Sequence, residues 1–166
     1  TDQLTAFDAT GNSSLTCIET LDSDYATANW TNANGNIDAG VTFADICYAS
    51  NPSYTYVPDN NFEQALIDLG YDDVINDFVL TANISGITDL DVREKEISDL
   101  TGIEAFTALT ILHCENNQLT SLDVSSNTAL TLLFCENNQL TSLDVSANTA
   151  LTSLYCGGNQ LTSLDV

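Results

Sequence analysis

A strict 21-residue repeat fills the last third of the chain and constrains its fold more than any other feature. Cys114, Cys135 and Cys156 follow one another at intervals of 21 residues, and the segments around them are nearly identical. Self-similarity at a fixed short period predicts a solenoid of stacked coils, because no single copy can bury its own apolar side chains. The three copies begin at Leu109, Leu130 and Leu151.

Within each copy, apolar and polar residues follow the pattern LxxLxCxxNxL. Leu112, Cys114 and Leu119 are expected to point inward and to stack on their equivalents in the next coil, about 4.8 Å away. Asn117 follows the strand, where an inward amide can bond backbone groups freed by the turn. The second half of each copy nearly repeats the first, so short strands or extended turns, with little helix, are expected on the opposite side.

The repeat LTxLxCxxNxLTxLDVSxNTA resembles that of bacterial leucine-rich-repeat surface proteins of the internalin J-like, cysteine-containing class. The resemblance covers residues 109–166. It implies a leucine-rich-repeat solenoid of short parallel β-strands and turns. Cys114, Cys135 and Cys156 would form a buried ladder on the inner side of its strands. It further implies adhesion or protein recognition, and no catalysis.

Residues 59–108 are predicted to form a short helical N-terminal cap and a first, atypical coil, which together cover the open apolar end of the array. Asp59, Asn60 or Asn61 can cap a short helix, and Gly70 can end it. The string VPDNNFEQALIDLGYDD…GITDLDVREKEISDLTGIEAFTALTIL resembles the entry segment of leucine-rich-repeat proteins exported by type IX secretion. That resemblance implies an exported bacterial protein.

The N-terminal part of the chain is predicted to be separate from this array. Residues 1–50 resemble the tail and C-terminal cap of an upstream leucine-rich array, and an unrelated small domain is the alternative. Residues 51–58 contain two prolines and are expected to be a linker. Because the chain opens and stops without the signals of natural termini, we expect a fragment of a larger protein, with the array continuing beyond Val166 or covered there by another chain.

The five cysteines form a pair and a triplet. Cys17 and Cys47 flank the predicted upstream cap, and in an exported protein we expect a disulfide between them, with two buried free thiols as the alternative. The triplet Cys114, Cys135 and Cys156 places one thiol in each coil. Such spacing does not match the clustered ligands of a metal site, and three stacked thiols cannot all pair. The triplet is therefore expected to be inert core, and no metal or cofactor is predicted.

Alternation along the strands predicts the surface that a partner would meet. Residues on either side of an inward leucine point outward, and in successive copies one such position is always aromatic. An exposed aromatic column can supply strong contacts to a protein or glycan, although cross-strand packing alone is the alternative. The candidate binding residues are His113, Phe134, Tyr155, Glu115 and Glu136.

Charge and motif content exclude several functions. The chain has 24 acidic and 2 basic residues, for a formal net charge of −22, so it would repel nucleic acids and anionic membranes. No apolar run reaches the roughly 18–20 residues that span a bilayer. There is one histidine, and no GxGxxG, P-loop or HExxH motif is present, so no enzyme is predicted.

These observations together predict an extracellular, cell-surface binding or adhesion solenoid that recognises a protein or glycan through its strand face. Secretion or surface-anchoring machinery is a further candidate partner, whereas nucleic acid and membrane insertion are not expected. Two alternatives remain open: a non-catalytic accessory region of a secreted enzyme, and a structural stalk or spacer.

Overall fold

The computed structural model describes residues 7–13, 17–19, 23–44 and 53–166. The chain divides into two compact units, Thr1–Asn51 and Pro52–Val166.

The first unit is built around a pair of parallel strands. β1 (Cys17–Glu19) lies beside β2 (Thr42–Ala44), with Cys17 opposite Thr42. Parallel strands require a crossover connection, and here helix α1 (Ser23–Asn29) lies within it.

Helix α1 lies in a part of the chain, residues 1–50, for which the sequence predicted no helix. Its residue Ala26 is completely buried, and the Trp30 amide donates to the Ala26 carbonyl. The Trp30 ring in turn stacks on Phe7 with centroids 4.7 Å apart, and Phe43 lies 5.9 Å from Trp30. Packing against this aromatic cluster stabilises a short helix that local propensity alone would not predict.

The second unit begins with an antiparallel strand pair and a helix. The segment predicted as a linker, 51–58, contains β3, and Val57 is fully buried. This segment therefore contributes a strand and a core residue to the second unit. In chain order the elements are β3 (Tyr54–Tyr56), α2 (Asn60–Asp68), β4 (Phe78–Leu80), which pairs with β3, and α3 (Thr81–Ile84).

Helix α2 starts and stops where the sequence indicated. Asp59 is its N-cap and accepts hydrogen bonds from the amides of Asn61 and Phe62 at 2.9 and 3.0 Å. Beyond the helix, Gly70 has φ of 80°, a conformation that glycine adopts without strain. The helix buries Phe62 and Leu66 completely.

A solenoid of short strands fills the rest of the second unit. Its strands are β5 (Asp89–Asp91), β6 (Ile111–His113), β7 (Leu132–Phe134), β8 (Ser142–Asp144), β9 (Ser153–Tyr155) and β10 (Ser163–Asp165). One parallel sheet has the order β5-β6-β7-β9, and β8 pairs with β10 in a second, two-stranded parallel sheet. No helix among the described residues is long and apolar enough to cross a bilayer.

The four-stranded sheet holds equivalent residues of successive coils directly opposite one another. Leu90 faces Leu112, and Leu112 faces Leu133, and all three are fully buried. The buried side chains of α2 belong to the same continuous core as these leucines. The opposite side of the solenoid carries strands and turns, with a single 3₁₀ turn at Ile103–Ala105.

Candidate functional site

Three stacked rings run across the outward face of the four-stranded sheet. The parallel register places His113 opposite Phe134 and Phe134 opposite Tyr155. Ring centroids are 4.6 Å apart for His113 and Phe134 and 4.8 Å for Phe134 and Tyr155, with interplanar angles of 3° and 2°. Both faces of the Phe134 ring are therefore covered, and only its edge is open to a partner. Tyr155 is 47% exposed.

Ionic contacts surround the first ring of this column. Nη2 of Arg93 lies 2.7 Å from Asp91, and Nη1 of Arg93 lies 3.2 Å from Oε1 of Glu115. The hydrogen bonds from Arg93 lower the pKa of the Asp91 carboxyl, although partial burial opposes them. Nε2 of His113 lies 3.8 Å from Asp89. One end of the face is thus a network of both signs of charge.

The two candidate glutamates are more covered than the sequence suggested. The Glu115 side chain is only 14% exposed, and its Oε2 lies 4.0 Å from Nδ1 of His113. Glu136, one coil further on, is half-buried. Oε2 of each glutamate is buried without a hydrogen-bond partner among the described residues. Glu136 differs from Glu115 in having no cation beside it in the part of the chain that the structure describes.

The third coil leaves a gap next to Glu136. The equivalent residue there is Gly157, whose carbonyl accepts from the Asn137 amide just as the Glu136 carbonyl accepts from Asn116. A Cβ added at Gly157 would meet no atom within 4 Å. We call this open space the Gly157 notch. The sequence signal for it is the change from CENN to CGGN in the third copy.

The cysteine ladder lies directly beneath the aromatic column. Cys114 and Cys135 are buried and Cys156 is half-buried, and all three are free thiols. The Sγ atoms of Cys114 and Cys135 each lie 3.3 Å from a backbone carbonyl of the next coil, to which they donate. Burial raises the pKa of Cys114 well above its usual range and that of Cys135 to about 12. Cys114 and Cys135 are therefore protonated and unreactive near neutral pH.

An asparagine ladder holds adjacent coils together on the inner side of the turn. Oδ1 of Asn117 accepts the amides of Lys95 and Ile97, both at 3.0 Å. Its Nδ2 donates to the carbonyls of Val92 and Cys114 at 2.9 and 3.1 Å. One side chain thus satisfies four backbone groups that the turn leaves without partners. Asn138 and Asn159 repeat part of this arrangement.

Acidic residues of the second unit bond to neighbouring backbone amides rather than converging on one point. Within the described ranges, no group of three or more His, Cys, Asp or Glu side chains is arranged to hold an ion. Asp123 and Asp144, equivalent residues of two coils, each accept the amide of the serine two positions later at 2.9 Å. These serine hydrogen bonds lower the pKa of both carboxyls.

Only one of the two cysteines of the predicted disulfide lies among the described residues. Cys17 is disulfide-bonded, and Cys47 lies outside the described residues. Their pairing stays a prediction.

The repeats of this chain are similar to those of known leucine-rich-repeat proteins. Internalin J of Listeria monocytogenes serotype 4b (strain F2365) is 41% identical to the chain over 72 residues, or 43% of the chain. The functional domain of InlJ from Listeria monocytogenes, which includes a cysteine ladder, matches with a TM-score of 0.61 and 40% identity over 68% of this chain. The chain is similar to the internalins. The likeness supports an internalin-like leucine-rich-repeat solenoid with a cysteine ladder.

A second solved structure points the same way. An internalin (inlF) from Listeria monocytogenes 4b F2365 matches with a TM-score of 0.56 and 25% identity over 67% of this chain. The chain matches no protein-family profile. It spans 8% of the length of internalin J and 26% and 37% of the two solved chains.

Proposed function

We propose that this chain is a non-catalytic recognition module of an exported bacterial cell-surface protein, and that it binds a protein or glycan through the outward face of the β5-β6-β7-β9 sheet. The stacked column of His113, Phe134 and Tyr155 carries this proposal. Aromatic residues grouped on a rigid scaffold are the usual centres of binding energy in protein interfaces. Similarity to the internalins also favours a role in recognition.

The rigidity of the column supports recognition. Each ring stands on a strand whose backbone is hydrogen-bonded to the next coil, as in the bond from the Cys114 amide to the Phe134 carbonyl at 2.9 Å. A partner would therefore meet side chains that lose little freedom on binding.

The flanking segments are proposed to serve the array. Phe62 and Leu66 of α2 share the core of the coils, which supports a role for α2 as the N-terminal cap of the solenoid. The parallel pairing of β1 with β2 supports the proposal that the first unit is the end of an upstream array. Export by type IX secretion rests only on the resemblance of residues 57–73 and 86–112.

Binding through the column is tested with the purified chain on arrays of extracellular proteins and glycans. Phe134→Ala and Tyr155→Ala are expected to weaken binding at least about tenfold each, since each removes an aromatic contact. Tyr56→Ala, which removes a half-exposed tyrosine outside the sheet, is the matched control and is expected to bind normally. Unchanged binding by a correctly folded Phe134→Ala, Tyr155→Ala double variant would eliminate the column as the site and favour a structural stalk.

A further inference from the structure

We propose that the partner of the aromatic column is a basic protein segment, one of whose arginine or lysine side chains enters the Gly157 notch and pairs with Glu136. The inference rests on the proposed function, because it assumes that the column is the binding surface. It adds the chemical class of the partner and the position of its anchoring charge.

The chain itself contains the contact that we propose. Arg93, Glu115, Glu136 and Gly157 occupy the same position in four successive coils, as the ladder of backbone bonds from Glu94 to Glu115, Asn116 to Glu136 and Asn137 to Gly157 shows. At one end of this row Nη1 of Arg93 binds Glu115 at 3.2 Å. At the other end the place beside Glu136 is open, because Gly157 has no side chain. A cation entering from outside would complete the same arrangement.

Electrostatics favours a cation at this place. Glu115 and Glu136 are neighbours in successive coils, just beyond the ends of β6 and β7, and like charges so placed destabilise each other. Arg93 offsets the charge of Glu115, but no described basic residue does so for Glu136. A half-buried carboxylate without a partner costs free energy that an incoming guanidinium or ammonium group would recover. The net charge of −22 would also attract a basic partner from a distance.

Ring geometry favours a protein over a glycan. A sugar ring stacks on the face of an aromatic ring, and both faces of Phe134 are covered by His113 and Tyr155. The Phe134 ring offers only its edge, along which the methylene stem of an arginine or lysine can lie while its charged end reaches a carboxylate. Arg93 reaches Glu115 across the start of the same face.

The inference is tested by NMR titration of the complete chain with Nα-acetyl-arginine amide. We expect shifts of the amides of Tyr155, Gly157 and Glu136, and at least tenfold weaker binding of the neutral isostere Nα-acetyl-citrulline amide. Glu136→Gln should abolish the arginine-dependent shifts. Asp144→Asn makes the same change in net charge on the other sheet and should keep them.

A second variant fills the notch from within. Gly157→Arg should place a guanidinium beside Glu136, so added arginine amide no longer shifts the Tyr155 and Glu136 amides. Backbone strain is not expected, because Gly157 is not among the glycines with positive φ. Retention of the arginine shifts by this variant would overturn the inference.

The outcomes separate this inference from the proposed function. Equal binding of the citrulline and arginine amides, or normal binding by Glu136→Gln, overturns the basic partner and leaves the column intact as a site. The arrays could instead select glycans, with binding lost in Phe134→Ala but kept in Glu136→Gln. That result also overturns the basic partner and leaves the column intact as a site. If Phe134→Ala and Tyr155→Ala leave all array binding unchanged, the proposed function itself fails.

Discussion

The imidazole of His113 lies parallel to the phenyl ring of Phe134, with centroids 4.6 Å apart and an angle of 3° between the planes. Parallel planes at this centroid distance are compatible with the offset stacking that aromatic pairs favour, and the register of β6 and β7 places the two rings side by side. The same stacking covers ring faces that a ligand could otherwise use. The column therefore contributes both to the stability of the sheet and to the kind of partner that it can accept.

The stability of the stack can be measured by a double-mutant cycle. His113→Ala and Phe134→Ala are expected to show a coupling of about 0.5–1.5 kcal/mol in the free energy of unfolding by urea, since the rings are in direct contact. His113 and Tyr155 are not adjacent in the stack, and their cycle should give a coupling close to zero. Equal couplings in the two cycles would mean that the stacking itself contributes nothing.

The cysteine ladder predicts a graded reactivity of thiols. Because burial raises the pKa of Cys114 and Cys135 (the latter to about 12), both thiols stay protonated at pH 8 and should resist iodoacetamide in the folded chain. Cys156 is half-buried and should be alkylated first. Mass spectrometry of proteolytic peptides after timed labelling measures each rate. Labelling of Cys114 as fast as Cys156 would contradict the buried ladder, and all three should label alike after unfolding.

Unfolded, non-reduced protein should contain three free thiols. This count follows if Cys17 pairs with Cys47 while the three ladder cysteines stay reduced. A disulfide closing a loop of about 30 residues typically stabilises by roughly 2–4 kcal/mol. Thiol titration in denaturant gives the count directly. Five thiols would rule out the disulfide.

Asn117→Ala is expected to destabilise the second unit by about 2–4 kcal/mol. The substitution removes the hydrogen bonds of the amide to four backbone groups. The Ile97 amide and the Val92 carbonyl are buried among these, whereas the Cys114 carbonyl still accepts from Asn138. Gln118→Ala, an exposed neighbour, is the control and should change the free energy of unfolding by less than about 0.5 kcal/mol. Similar urea midpoints for the two variants would show that water replaces the amide at no cost.

Asp59→Asn should weaken the second unit in a pH-dependent way. Burial raises the Asp59 pKa, but hydrogen bonds from Ser98, Phe62 and Asp99 outweigh it, and the net pKa is lowered. The resulting stability is present above the unfolded value of about 3.9 and is lost as the pH falls through the lower folded pKa. Asn can still cap the helix, but its side-chain NH2 group cannot accept the hydrogen bonds that Oδ2 of Asp59 receives from Ser98 and Asp99. The variant should therefore be less stable at pH 7 by about 1–2 kcal/mol, and the difference should shrink below about pH 4.

That difference is measured by urea unfolding at a series of pH values. Asp73→Asn, in an exposed position, is the control for the loss of one carboxylate. A constant difference between Asp59→Asn and the unchanged chain from pH 7 to pH 2 would show that the cap acts without its charge.

Much of the fold could be predicted because the repeat encodes it in residue spacings of a few positions. The inward leucines, the strand positions and the cap residue Asp59 each follow from spacing that holds within a few residues. Helix α1 could not be predicted, since its stability depends on Trp30 packing against Phe7, 23 positions away in the chain. The strand β3 was missed for a similar reason, because it exists by pairing with β4.

The features of the candidate site also fall into those that the sequence predicts and those that it does not. The sequence by itself determined the period, and the period determined that His113, Phe134 and Tyr155 form one column, because identical spacing places equivalent residues side by side. Only the tertiary structure decided that the ring faces are mutually covered, that Arg93 neutralises Glu115, and that Glu136 borders an open notch. Those features depend on distances between side chains of neighbouring coils, which a repeat pattern places in register but does not specify in three dimensions.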